Sequence, residues 1–115
     1  MIKEQGFNSL FENELLRFKS EFQKKQGVNS LYQVAQQFTD FTRKILDGEH
    51  DYYKVKKCFH LAEEVFKWGN RTVKNAIVNI FIYSLVNKIA EYNYVKDLPD
   101  NLLNEYKKQI YAFGI

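Results

Sequence analysis

The chain has 115 residues, 45% hydrophobic and 27% charged, with a net charge of +3. One Pro and five Gly exclude a loop-rich or disordered chain. Seventeen basic residues interleaved with 14 acidic ones lack the clustered Lys and Arg excess of a committed nucleic-acid binder. At this length one domain is expected, with roughly 65% of the unfolded surface buried in a single core. The lone cysteine, Cys58, rules out an internal disulfide and fits a reducing compartment. The opening MIKEQGFNSL has no apolar run of signal-peptide length, so a cytoplasmic location is expected.

The first predicted helix runs from about Ser9 to Lys25. Ser9 and Glu12 have the spacing of a capping box. Phe11, Leu15, Phe18 and Phe22 recur at steps of four, three and four, with Leu16 widening the stripe. Gly27 is expected to close this helix with φ > 0. The second helix, about Ser30 to Leu46, starts on a second capping-box match, Ser30 and Gln33. Leu31, Val34, Phe38, Phe41 and Ile45 give it the cleanest amphipathic pattern in the chain. Arg43 and Lys44 suit the dipole of its last turn, and Asp47-Gly48 should end it. The third, about Asp51 to Trp68, is capped by Asp51, buries Val55, Cys58, Phe59, Ala62, Val65 and Phe66, and stops at Gly69.

The fourth, residues 71–92, reads RTVKNAIVNIFIYSLVNKIAEY and is the expected centre of the fold. Its β-branched and aromatic core would suit a strand, but it runs about 20 residues without Gly or Pro, against a usual strand of ~5–6. Val73, Ala76/Ile77, Ile80/Phe81, Ser84/Leu85 and Ile89 recur at helical steps. A helix apolar on nearly every side must be covered on every side. Its strictly apolar part is about half the ~20 residues a membrane span needs, so a buried core helix is expected and no membrane partner. Asn70 or Thr72 can cap its start. The short link after Trp68 forces the third and fourth helices into an antiparallel hairpin. Pro99 fits the first turn of a last helix reaching about Ala112. The expected fold is a single all-α domain over 1–115, a compact antiparallel bundle of four to five helices around a buried central helix.

Chemistry-bearing residues are few. His60 and Glu64 share a helix face, as metal ligands can, with Cys58 and Glu63 nearby. But Cys58 lies on the apolar stripe, and a metal needs about four converging ligands, so no metal, cofactor or catalytic residue is assigned. The hairpin should gather Lys67, Arg71 and Lys74 at one corner. There a row of helix N–H groups and two cations could hold an anion. Tyr52, Tyr53, Lys54, Lys56 and Lys57 form a basic and aromatic cluster at the opposite end. It could stack on unpaired bases or anchor a protein partner. Tyr92, Tyr94 and Val95 add apolar surface in a loop. Asn79, if buried, must find partners for its amide, since a bare one costs about 1–3 kcal/mol, and it is read first as bridging two helices rather than as catalytic.

Cys58-Phe59, Gly69-Asn70, Val73-Lys74-Asn75-Ala76-Ile77 and Leu98-Pro99 together resemble a small bacterial helical domain family of unknown function. The resemblance covers roughly residues 56–103. It departs from the family pattern at Tyr83-Ser84-Leu85, where an acidic residue is usual. Such families look like accessory or immunity proteins of toxin systems, which implies a binding role and no activity. The expected function is thus a non-enzymatic protein-interaction module, an immunity protein that blocks a toxin. The alternative is a nucleic-acid-binding or regulatory protein using Lys54, Lys56, Lys57, Lys67, Arg71 and Lys74.

Overall fold

Five helices make up the described residues. The computed structural model describes residues 2–112, with the side chains of residues 10–48 and 50–111. Helix α1 is Ile2–Gln23. Helix α2 is Val28–Lys44, prolonged by a π turn over Ile45–Glu49. Helix α3 is Tyr52–Trp68. Helix α4 runs through three consecutive stretches: Arg71–Ala76, the π-helical Ile77–Ile82, and Tyr83–Glu91. A 3₁₀ turn, Val95–Asp97, leads to α5, Asp100–Ala112. No strand occurs among the described residues.

Several ends differ from the sequence expectation. Ser9 lies inside α1, which starts at Ile2, so its backbone cannot cap it; its side chain is outside the described residues. Gly27 does not close α1. With φ −69° and ψ 168° it is extended and precedes α2, accepting the Leu31 N–H on its carbonyl at 3.1 Å. Ser30 therefore falls in the first turn, where its backbone is helical and cannot serve as a cap. Asp47-Gly48 is absorbed into the π turn. The left-handed His50 (φ 51°) ends α2 by donating its N–H to the Ile45 carbonyl at 3.0 Å. Asp51 and Asn70 cap α3 and α4 as expected, accepting from the Lys54 and Val73 N–H groups at 3.2 and 3.0 Å.

Phenylalanines set the packing. Phe11 stacks on Phe41 at 5.9 Å, and Phe18 and Phe22 meet Phe38 at 5.3 and 6.1 Å, so α1 runs antiparallel to α2. Phe38 stacks in turn on Phe81 at 4.9 Å and 12°. At the far end Asp47 holds Lys88 at 2.8 Å, which sets α4 parallel to α2. Salt bridges from Lys57 to Glu12 and from Lys19 to Glu64 lay α3 parallel to α1.

The π stretch changes which residues α4 buries. The buried series is Val73, Ala76/Ile77, Phe81/Ile82, Leu85/Val86 and Ile89. A π turn holds one more residue than an α turn, so beyond it the core face moves on by one position. Ile82 and Val86 are buried where an uninterrupted α-helix would have placed Ile80 and Ser84. Ile77 and Phe81 are fully buried and Ile80 packs half-buried against the core. The fourth flank is open: Asn75, Asn79, Tyr83 and Asn87 face solvent. Asn79 is exposed and therefore needs no partner helix for its amide. The central helix is enclosed on most of its circumference but not all of it.

Gly69 is required by proximity. Its φ of −73° is open to any residue, but a Cβ there would lie 2.5 Å from Val73 Cγ1 and 2.7 Å from the Val65 carbonyl oxygen. The valine can turn away; the carbonyl, which accepts the Gly69 N–H at 2.9 Å, cannot. Gly69→Ala is expected to cost on the order of 1–2 kcal/mol through overpacking, read as a lower denaturant midpoint. An unchanged midpoint would show the corner to be loosely packed.

Candidate functional site

At the corner, the three expected cations divide into different roles. Lys74 Nζ donates to the Phe66 carbonyl at 2.7 Å and to the Lys67 carbonyl at 3.5 Å, and lies 4.9 Å above the Phe66 ring. It thus satisfies the open carbonyls ending α3, where a cation also suits the dipole. Lys67 and Arg71 are exposed and, among the described residues, their side chains make no hydrogen bond or ion pair, and the same holds for the Lys25 side chain. The N–H row expected to receive an anion is partly used, because Asn70 Oδ1 takes the Val73 N–H.

Two grooves flank the Gly69-Asn70 turn. One, about 750 Å³, has an apolar floor of Phe22, Leu31, Trp68 and Val73 and a rim carrying Lys24 and Lys25. Trp68 keeps 42% of its surface exposed there. Lys24 is tied to Glu21 at 2.8 Å. The other, about 530 Å³, is lined by Arg71, Lys74, Asn75 and Glu105, with Phe66 and Val78. Glu105 holds Lys108 at 3.1 Å. The corner thus joins a half-open indole on apolar ground to Lys25, Lys67 and Arg71, none of which forms an ion pair among the described residues.

The Tyr52–Lys57 cluster is drawn into the fold. Tyr52 donates its hydroxyl to Asp97 Oδ1 at 2.7 Å and stacks on Tyr94 at 6.1 Å. That bond to a carboxylate raises the Tyr52 hydroxyl's pKa above its ordinary value. Tyr94 is buried edge-on against Phe59 at 6.0 Å, and this burial, then Asp97 and Asp51, raises its pKa as well. Tyr53 donates to Glu12 at 3.3 Å and Lys57 pairs with the same carboxylate at 3.6 Å. Lys54 is only 9% exposed, its Nζ 5.5 Å from the Phe11 ring centre. It is thus part of the core boundary and not of a solvated face. Lys56 sits over Tyr52 at 5.2 Å. At the same end Asp47 accepts from Lys88 and from the Tyr92 hydroxyl, and these two bonds, Lys88 first, hold its carboxyl below the usual range. The six basic residues considered for nucleic acid are therefore split between opposite ends of the bundle.

The Cys58–Glu64 set disperses in the same way. Cys58 is fully buried and His60 exposed. Glu64 pairs with Lys19 at 3.3 Å, and Glu63 turns away to cap α5. Among the described residues no three His, Cys, Asp or Glu side chains converge as a metal site would require. No described helix is long and apolar enough to cross a membrane.

Sequence reasoning missed one surface. Leu16, read as part of the α1 stripe, is 62% exposed. At ~100° per residue it lies well off the line through Phe11, Leu15, Phe18 and Phe22. It stands on the lip of a groove of about 660 Å³ between α1 and α3. That offset, visible in the sequence, was the available signal.

No curated protein and no solved structure matches the chain significantly. The resemblance noted over residues 56–103 fits a family of unknown function, and a family model of that kind extends over nearly the whole sequence. It is described as Domain of unknown function (DUF7674), it matches residues 8–112, and the chain belongs to that family.

Proposed function

We propose that this chain is a non-enzymatic protein-interaction module that docks an acidic partner protein at the corner of α1, α3 and α4. One observation carries the reading: half-exposed Trp68 sits on an apolar floor beside the unpaired cations Lys25, Lys67 and Arg71. Trp and Arg are the residues that most often dominate binding energy at protein interfaces, and an excess of positive charge steers an acidic surface to such a site. In its finer form the partner is a toxin that the chain blocks as an immunity protein. A small helical domain with no assigned catalytic residue suits that role.

The test is complex formation with the product of the adjacent gene. Trp68→Ala and Arg71→Glu are each expected to weaken binding by about 10-fold or more, as loss of an interface hot spot does, with the circular dichroism unchanged. If no complex forms, or both variants bind as tightly as the parent, the reading fails. Retention on duplex DNA, falling by about 0.9 log units per log unit of salt for each phosphate neutralised, would favour the nucleic-acid alternative.

A further inference from the structure

We infer that the groove between α1 and α3 is the contact face of a two-fold dimer of this chain. The centre of the face is apolar: exposed Leu16 stands over Leu15 and Leu61. Four charges surround it. Glu12 and Lys57 face each other across the groove at 3.6 Å, and Lys19 and Glu64 do so at 3.3 Å. On each helix the two charges are seven residues apart, which is two turns or about 10.5 Å. Because α1 and α3 run parallel, the signs form a checkerboard: negative then positive along α1, positive then negative along α3.

A checkerboard complements itself. An isologous dimer sets the same patch on both copies face to face about an axis in the contact plane. With that axis along the helices, Glu12 meets the partner's Lys57 and Lys19 meets the partner's Glu64. With the axis across the helices, Glu12 meets the partner's Lys19 and Lys57 meets the partner's Glu64. Every charge finds its opposite in either case. A patch carrying one sign would repel its own copy, and the acidic partner suited to the Trp68 corner would find no net attraction here. The two Leu16 side chains would then lose water against each other and the leucines beneath, giving the apolar centre and polar rim usual in interfaces. This inference stands apart from the docking corner, since it uses none of Lys25, Lys67, Trp68 or Arg71.

The full chain, run in sedimentation equilibrium from micromolar to several hundred micromolar, should associate to twice its mass. Leu16→Glu places a charge in the apolar centre, and Lys19→Glu breaks the checkerboard; each should weaken association at least tenfold. Both positions are largely or partly exposed, so unaltered circular dichroism and melting temperature are expected. The fourfold exchange E12K/K19E/K57E/E64K inverts every sign, keeps both intrachain pairs and should restore the dimer. Arg71→Glu, at the other surface, should leave association unchanged. A parent chain that stays monomeric at several hundred micromolar would overturn the inference. So would a Lys19→Glu chain that dimerises like the parent, or a folded fourfold variant that does not dimerise.

Discussion

Phe81→Ala is expected to lower the unfolding free energy by about 3–5 kcal/mol, the range for removing a buried phenylalanine ring. Against a typical total of roughly 5–15 kcal/mol, that leaves the chain close to unfolding. The ring is wholly buried and stacked on Phe38, which itself receives Phe18 and Phe22 from α1. Phe81 therefore joins α4 to α2 and, through one further ring, to α1. The vacated space is walled by side chains fixed on two rigid helices, so it cannot close cheaply. Denaturant unfolding should show a reduced midpoint with an unchanged slope. A loss under ~1 kcal/mol would mean that the site collapses around the gap, contrary to this packing.

The same experiment reads the π turn. Ile82→Ala should cost about 2–5 kcal/mol as a fully buried truncation, and Ile80→Ala clearly less because its side chain is half-buried. In an uninterrupted α-helix the order would be reversed, since Ile80 falls on the core stripe and Ile82 lies some 200° from it. The pair thus tests the register of α4 independently of any stability total.

The five helices were legible because Phe11–Phe22, Leu31–Ile45 and Val73–Ile89 repeat at helical steps, and a repeat over many residues outweighs any single misplaced residue. The caps Asp51 and Asn70 were legible because each acts on its own chain neighbours. The π turn was not, because Ile77–Ile82 is apolar at almost every position and so supports either register. The choice falls to packing against helices that lie far off in sequence. The shortness of the Gly69-Asn70 link is what brings Lys67, Arg71 and Lys74 to one end of the α3–α4 hairpin. The carbonyl bonds of Lys74 were hidden, because they depend on how closely α3 and α4 approach. Tyr52, Tyr53 and Lys54 looked like a free cluster, since nothing local reveals that Asp97, Glu12 and Phe11 await them.

Glu63 belongs to that hidden class, and it yields the second large effect. Pro99, which the sequence places in the first turn of α5, stands one residue before it, its carbonyl accepting the Leu103 N–H at 2.8 Å. Proline at a cap position offers no side-chain oxygen to the free N–H groups that begin a helix. Glu63 supplies it from α3: Oε2 accepts from the Asn101 N–H at 3.2 Å and from Asn101 Nδ2 at 2.9 Å, and Oε1 accepts from the Leu102 N–H at 3.1 Å. A negative charge at that end also meets the positive pole of the helix. Glu63→Ala strips two backbone donors of their partner and is expected to cost about 2–3 kcal/mol, in keeping with hydrogen bonds to a charged group. Glu63→Gln should recover part of this, since one carbonyl oxygen remains to accept while the new amide group can only donate. Hydrogen exchange should locate the damage: the Asn101 and Leu102 amides lose protection first, while those around Phe38 and Phe81 follow only with global unfolding. If Glu63→Ala left those two amides protected, another group or water must cap α5, and α3 would hold it by apolar packing alone.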